Sequence, residues 1–573
     1  MAPFEVRCED GQPYAHPFLV GLNVPRPQLT DIDSDGDLDL FVQEVSGRVM
    51  FFENVSSGAA PEFVWRTDRY QDLDVGEWYR FFDMDSDGDS DLLTERPFSY
   101  VTYYRNDGTS GAPAFTLVAD SLRDVDGVAL FSDRQNIPNL TDIDCDGRPD
   151  LFLGQLTGTV KRYEAESAGE AGIPSFRLVT DRFEDIEIVA QELGSRHGAN
   201  TMALTDIDLD GDQDLFWGDF FEAGLLFIEN RGTCSSPSLR GEPVPFPTEA
   251  PLETSGYNAP TFGDVDGDGD VDLVVGVLGG AFNPNRTSSD NLYFYERLGD
   301  EQFELRTRRF VSMIDVGSES IPSLVDLDGD GDLDMLVANK IDPGALGTAR
   351  IYYFENEGTP VAPSLRRTGT WDLEGQYHYA PTFGDLDGDG DLDMLMGSWR
   401  NRVALHRNQG SAAEPDFVAE DTAFVTLTRG GNTTPALVDI DADGDLDLFV
   451  GEGSGTINYY RNTGTALAPA FELISDNYDG IDVGRRSFPV FEDLDGDGDL
   501  DMVVGRDAGV PAFYRNTGTP EEPVFEIDDS FAPDLDGLST PAFADIDGDG
   551  DRDLFSGGTG GGVMFFENRR VNR

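Results

Sequence analysis

Basic residues are scarce in this chain: 40 Lys and Arg stand against 110 Asp and Glu in 573 residues, a formal net charge of −70. A field of that sign repels nucleic acid and anionic membrane and attracts cations or basic surfaces. Cysteine is rarer still. Cys8, Cys145 and Cys234 are far apart and odd in number, which gives neither a disulfide framework nor a CxxC metal or redox pair. The four histidines, His16, His197, His378 and His406, belong to no HExxH motif, and neither a GxSxG elbow nor a phosphate-cradling loop is present. Each histidine reads as a surface or packing residue, and the chain is not expected to be an enzyme. No stretch is long and apolar enough to cross a membrane. The opening Met1-Ala2-Pro3-Phe4-Glu5 shows no basic segment followed by an apolar run, so no signal peptide is visible. Helical periodicity is missing too: no window of helical length carries a convincing 3.6-residue period free of Gly or Pro.

What is present is repetition. Hydrophobic residues at 39% and aromatics at 11% are too many for a disordered chain, and the length exceeds what one ordinary core fills. The unit Asp-x-Asp-x-Asp-Gly-x-x-Asp-Leu/Met, or close to it, begins at Asp31, Asp83, Asp142, Asp206, Asp264, Asp326, Asp385, Asp439, Asp493 and Asp545. Eight copies carry a Pro four positions earlier, among them Pro260, Pro322, Pro381, Pro435, Pro489 and Pro541. A short apolar run follows each loop and ends in Gly in seven of the ten, as in Leu273-Val274-Val275-Gly276. Then come an aromatic run with a tight turn, as in Tyr459-Tyr460-Arg461-Asn462-Thr463-Gly464, and a Pro-x-Phe element such as Pro469-Ala470-Phe471. Short β-branched and aromatic segments bounded by Gly, Asn, Asp and Pro are strands and turns. Four strands per unit, A before the Asp loop and B, C and D after it, make a propeller blade. The expected fold is therefore an all-β propeller of ten four-stranded repeats filling 1–573 as a single repeat domain.

The ends suggest how a ring would close. Pro3-Phe4-Glu5-Val6 matches strand D, and Val563-Met564-Phe565-Phe566 matches strand C with no D element after it. Residues 3–7 are expected to complete the last blade, 541–568, and hide both sheet edges. No Pro/Ser-rich linker separates the fifth and sixth units, which favours one ten-bladed ring. The alternatives are two five-bladed rings, with the long Gly279–Ser289 insertion disguising a boundary, or an open solenoid.

The loops place oxygen ligands at positions 1, 3, 5, 7 and 9 with Gly at 6, the arrangement a hard cation requires. In the first two loops, 31–39 and 83–91, the candidates are Asp31, Asp33, Asp35, Asp37, Asp39, Asp83, Asp85, Asp87, Asp89 and Asp91. Loops 142–150 and 206–214 supply Asp142, Asp144, Asp146, Arg148, Asp150, Asp206, Asp208, Asp210, Asp212 and Asp214. Loops 264–272 and 326–334 supply Asp264, Asp266, Asp268, Asp270, Asp272, Asp326, Asp328, Asp330, Asp332 and Asp334. Loops 385–393 and 439–447 supply Asp385, Asp387, Asp389, Asp391, Asp393, Asp439, Asp441, Asp443, Asp445 and Asp447. Loops 493–501 and 545–553 supply Asp493, Asp495, Asp497, Asp499, Asp501, Asp545, Asp547, Asp549, Asp551 and Asp553. Position 7 is Asp everywhere but Arg148, so it is read as giving only its backbone carbonyl. Cys145, at a variable position, is read as a substituted Ser or Gly. Nine loops carry five Asp and the third carries four, so 49 of the 110 acidic residues sit in ten compact clusters. Like charges packed so closely need a counter-ion. The expected cofactor is Ca²⁺, about ten ions, structural rather than catalytic, because zinc prefers His or Cys and Mg²⁺ a stricter octahedron.

The stretch Pro260-Thr261-Phe262-Gly263-Asp264-Val265-Asp266-Gly267-Asp268-Gly269-Asp270-Val271-Asp272-Leu273, and again Pro381 to Met394, resembles the FG-GAP or VCBS-type repeat of calcium-binding propeller blades, including those of integrin α-chains. The resemblance covers nearly the whole chain. It implies a secreted or surface protein engaged in adhesion or carbohydrate binding. Ten cation loops in ten units depart from integrin propellers, which puts transfer of integrin ligand sites in doubt. The expected partners are a protein or carbohydrate ligand, with no nucleic acid and no direct membrane insertion. Trp78, Tyr79, Trp371, Tyr377 and Tyr379 are read as blade packing first and as ligand platforms second. A purely structural or protein-interaction role is the alternative.

Overall fold

The computed structural model describes residues 4–44, 47–56, 61–96, 98–109, 111–133, 136–166, 173–187, 200–219, 223–279, 288–299, 302–345, 347–373, 375–531, 533, 535 and 537–569. The predicted strands are there. Blade 8 shows the pattern: Thr434–Val438 (A), Asp447–Gly451 (B), Ile457–Asn462 (C) and Phe471–Ser475 (D) form one antiparallel sheet in chain order. Strand B begins at position 9 of the Asp loop and is buried along its length. It carries a continuous apolar run because neighbouring blades cover both its faces. Strand D, at the outer edge, is largely exposed.

The chain divides into two compact units, not one ring of ten. The first holds Val24–Gly279 and Asp290–Val311, and the second Met1–Asn23 and Ser312–Arg573. In the first, strand A of blade 5, Ala259–Gly263, packs beside strand A of blade 1, Arg26–Thr30, and Leu29 N donates to Thr261 Oγ1 at 3.3 Å. In the second, strand A of blade 10, Thr540–Ala544, returns to strand A of blade 6, Ile321–Val325, and Thr540 Oγ1 donates to Ser320 O at 2.9 Å. Each run of five blades therefore closes on itself, because the inner strands find their neighbours at the fifth step. Most of the Gly279–Ser289 insertion lies outside the described residues.

The expected closing strand is also corrected. Glu5–Arg7 does not extend the last blade; it pairs in parallel with Ser364–Arg366 on strand D of blade 6, and blade 10 keeps three strands. Side chains and backbone divide the work. Phe4 and Phe18 rings lie 5.7 and 5.4 Å from Phe565, and Phe18 lies 5.9 Å from Phe555. Phe18 thus fills the place that Tyr478 takes against Phe449 and Tyr459 in blade 8. With the aromatics docked on blade 10, the N–H and C=O groups of 5–7 meet blade 6. The segment seals the seam between the two.

The Gly that ends strand B has a steric cause. A Cβ on Gly451 would stand 2.1 Å from Ser487 O, where the next blade begins its strand A, and 2.4 Å from Thr434 Oγ1 on strand A of its own blade. Only glycine allows so close an approach of backbone. Gly451→Ala is expected to cost about 1–3 kcal/mol of stability, the usual range for overpacking, read as a lower urea midpoint at unchanged m-value.

Candidate metal centres

Each acidic loop is a turn wound around its first Asp. Gly at position 6 has φ between 84° and 101° in all ten loops, and its N–H donates to position 1 Oδ2, as Gly36 to Asp31 at 3.2 Å and Gly269 to Asp264 at 3.0 Å. This folding draws the carboxylates together. One oxygen from each of Asp31, Asp33 and Asp35 lies within 4.8 Å of the others, and the same holds for Asp83, Asp85 and Asp87, for Asp142, Asp144 and Asp146, for Asp206, Asp208 and Asp210, and for Asp264, Asp266 and Asp272.

Position 9 serves the fold as well as the cluster. Asp39, Asp91, Asp214, Asp272, Asp334 and Asp447 are almost fully buried. One oxygen of Asp39 accepts from Ile32 N at 3.3 Å and the other from Asn54 N at 2.9 Å. Asn54 Oδ1 in turn accepts from Ser56 and Glu62 N in the C–D turn. The recurring Asn after strand C is therefore the next link in a chain running from the Asp loop to the far end of the blade. Burial pushes Asp39, Asp214, Asp272 and Asp334 up to about 7, so these carboxylates lack compensating charge.

Position 7, expected to give a carbonyl, also places its side chain at the edge of the cluster. Asp37, Asp89, Asp212, Asp270, Asp391 and Asp445 each hold a buried Oδ1 with no hydrogen-bond partner. Burial and then the neighbouring loop carboxylates push Asp37, Asp212 and Asp391 up to about 6. Orphaned oxygens beside crowded carboxylates fit a hard divalent cation, which would bind them and relieve the repulsion. The fit is carried by the loops whose position-7 Asp holds such an oxygen. Asp31, Asp33, Asp35, Asp37 and Asp39 would hold the ion in the first loop, with the corresponding residues in the others.

The third loop differs. Cys145, at position 4, forms a disulfide with Cys234 in the C–D turn of blade 4, a bond that the spacing of three cysteines did not announce. Arg162 on strand C donates to Asp144 and to both oxygens of Asp150, and Arg148 donates to Asp146 and pairs with Glu164. Neither Arg162 nor the disulfide was picked out in the sequence.

Each unit also has a central channel lined by its five A strands. That of the first encloses about 170 Å³ beside Gln28, Arg80, Asn139 and Thr261, and that of the second about 260 Å³ beside Ser323, Thr382, Thr434 and Glu492. In the second unit Glu319, His378, Asn432 and Arg486 hold equivalent places three residues before the A-strand prolines, all with left-handed φ of 45–62°. Three of them meet across blades: Glu319 Oε2 lies 2.8 Å from His378 Nε2 and 2.5 Å from Arg486 Nη1, while Lys340 Nζ lies 2.5 Å from Oε1. His378 is thus a buried ion-pair partner. His406 is buried in strand C of blade 7, which pushes it down to about 4. His197 lies outside the described residues. Among the aromatic candidates, Trp78, Tyr79 and Tyr379 are buried in blade packing, whereas Tyr377 is exposed and meets the half-exposed Trp399 edge-on at 6.2 Å. Among the described residues no helix is long and apolar enough to cross a membrane.

Comparison with known proteins agrees with this geometry. The family described as FG-GAP-like repeat matches residues 206–275, 326–396, 385–450 and 493–556. Integrin alpha-4 of Xenopus laevis is 28% identical over 174 residues, an alignment covering 28% of this chain and 17% of that protein. With ten repeated blades around ten Asp loops, these matches support a distant FG-GAP-like, integrin-like repeat protein.

Proposed function

We propose that the chain is a calcium-stabilised binding or adhesion module working outside the cytoplasm, with a carbohydrate or a protein as its ligand. The observation that carries the reading is the set of crowded carboxylates with orphaned, buried oxygens, repeated in blade after blade. Calcium at these loops would fix the A–B turn of each blade, leaving the variable segments between blades to meet a ligand. The Cys145–Cys234 disulfide supports an oxidising compartment, where such bonds persist. The exposed Tyr377 and Trp399 pair, with Arg400 over the Trp399 ring at 5.8 Å, supplies the kind of aromatic platform that a sugar stacks on.

A scaffold that recruits basic proteins is the second reading. It is favoured by charge: leaving out the 49 loop carboxylates still leaves a balance of −21. A glycan array probed in calcium, with and without chelator, separates the two. Sugar binding that disappears with EDTA supports the first reading. No sugar binding, together with capture of basic proteins that is lost on raising the salt, overturns it in favour of electrostatic recognition.

A further inference from the structure

We propose that the third acidic loop, Asp142–Asp150, takes no calcium, and that Arg162 and Arg148 occupy the place of the ion. The inference rests on the calcium reading of the other loops and departs from it at this one. Arg162 carries the argument. Its guanidinium spans the loop: Nη2 lies 2.5 Å from Asp144 Oδ2 at position 3 and 3.1 Å from Asp150 Oδ2 at position 9, while Nε lies 2.8 Å from Asp150 Oδ1. Those are two of the carboxylates a cation in this loop would need. The register shows what has been replaced. Arg162 stands opposite Phe152, as Tyr103 stands opposite Leu93, Tyr353 opposite Leu336 and Tyr459 opposite Phe449. In those three blades the tyrosine hydroxyl gives position 9 a single neutral hydrogen bond, at 2.9, 3.0 and 2.8 Å. Blade 3 puts a permanent positive charge there instead.

Arg148, itself half-exposed, adds to the substitution. It replaces the position-7 Asp, and its Nε lies 2.9 Å from Asp146 Oδ2 at position 5. The loop therefore has four Asp and two guanidinium groups, a balance of −2, where the other loops bring five Asp. Other arginines reach acidic loops, but less completely. Arg461 and Arg515 contact position 3 of their loops, Asp441 and Asp495, from the neighbouring place on strand C. They are half and a third exposed, free to turn to water, and position 7 stays Asp. Arg407 also spans positions 3 and 9, bonding Asp393 and lying 3.6 Å from Asp387, yet its loop keeps all five carboxylates. Arg162 has no such freedom: it is 8% exposed, and calcium at Asp144 and Asp150 would strand its charge in the interior. The turn has its own brace as well, since the disulfide ties Cys145, at φ 53°, to blade 4. A loop whose charge is already partly offset and whose turn is pinned has less use for a metal.

The test is calcium stoichiometry of the full chain, by native mass spectrometry after equilibration with calcium. Asp144→Asn with Asp146→Asn is expected to leave the number of bound ions unchanged. Asp266→Asn with Asp268→Asn, the matching change in the fifth loop, is expected to lower it by one. Arg162→Tyr with Arg148→Asp is expected to raise it by one, with near-ultraviolet circular dichroism confirming that each variant is folded. A third-loop variant that loses an ion overturns the proposal, as does a folded Arg162→Tyr, Arg148→Asp variant that gains none. If the fifth-loop variant loses nothing, the calcium reading itself has failed, an outcome distinct from either.

Discussion

Excess EDTA at neutral pH and low salt is expected to lower the melting temperature of this protein by more than about 10 °C. A ligand present at a hundred times its dissociation constant stabilises the folded state by about 2.7 kcal/mol per site, and in domains of 150–250 residues each kcal/mol moves the midpoint by about 2–4 °C. Two working loops in a unit are enough for the stated shift, and each unit has more. The direction follows from charge. Without the ion, four or five carboxylates share one turn, and the position-9 carboxylate is buried with two backbone hydrogen bonds but no positive partner, as in Asp39 and Asp214. Nine Ca²⁺ would bring the net charge from −70 to about −52, every gain falling where repulsion is greatest. Scanning calorimetry with and without chelator checks this, and returning calcium should restore the midpoint. Magnesium at equal concentration should restore less, since it gives up its waters reluctantly and fits a stricter geometry. A melting curve that ignores the chelator removes the structural role for the metal.

How much of this was legible beforehand depended on the range over which each feature is determined. The Asp loops were readable because everything they need lies within nine residues: a carboxylate every second position and Gly where φ turns positive. Strand order within a blade was readable for the same reason, each strand pairing with the next in sequence. Ring size was not. Whether strand A of blade 5 goes on to blade 6 or returns to blade 1 rests on meetings such as Leu29 with Thr261, more than 200 residues apart, and no local pattern records them. The N-terminal match to strand D was correct as a pattern and misled as to partner, because Phe4 and Phe18 satisfy blade 10 through side chains while the backbone bonds elsewhere. Position 7 shows a subtler failure. Its reading as a carbonyl ligand leaned on Arg148, in the one loop whose charge is partly offset by two arginines. Judged on Asp37, Asp212 or Asp391, the side chain belongs to the cluster. The Glu319 network was invisible because its members come from separate blades and resemble no motif; the shared place before the A-strand Pro was the only signal.

That network should be the most sensitive single point in the second unit: Glu319→Gln is expected to cost about 3–5 kcal/mol, the usual loss when one partner of a buried ion pair is removed. Glu319 is 5% exposed. Its carboxylate answers Lys340, His378 and Arg486 at once, and Arg486 is held from the other side by Asp507, 2.5 Å from Nε. The amide of Gln keeps the shape and removes the charge, leaving Lys340 and Arg486 facing each other in poor solvent. Burial alone would raise the Glu319 carboxyl, but the hydrogen bond from His378 and the charges of His378, Arg486 and Lys340 outweigh it and hold the group well below the usual carboxylate range. A depressed folded-state value means that its contribution is fully present above the unfolded value, about 4.3, and is lost as pH falls through the folded one. The difference between wild type and Glu319→Gln in urea melts should therefore be large at neutral pH and shrink only below about pH 4.5. Pairing Glu319→Gln with Arg486→Met should cost less than the two single changes summed, since the second removes a charge that the first stranded. Strict additivity would mean that Glu319 and Arg486 sit side by side without depending on each other, and the left-handed backbone at both positions would then need another cause.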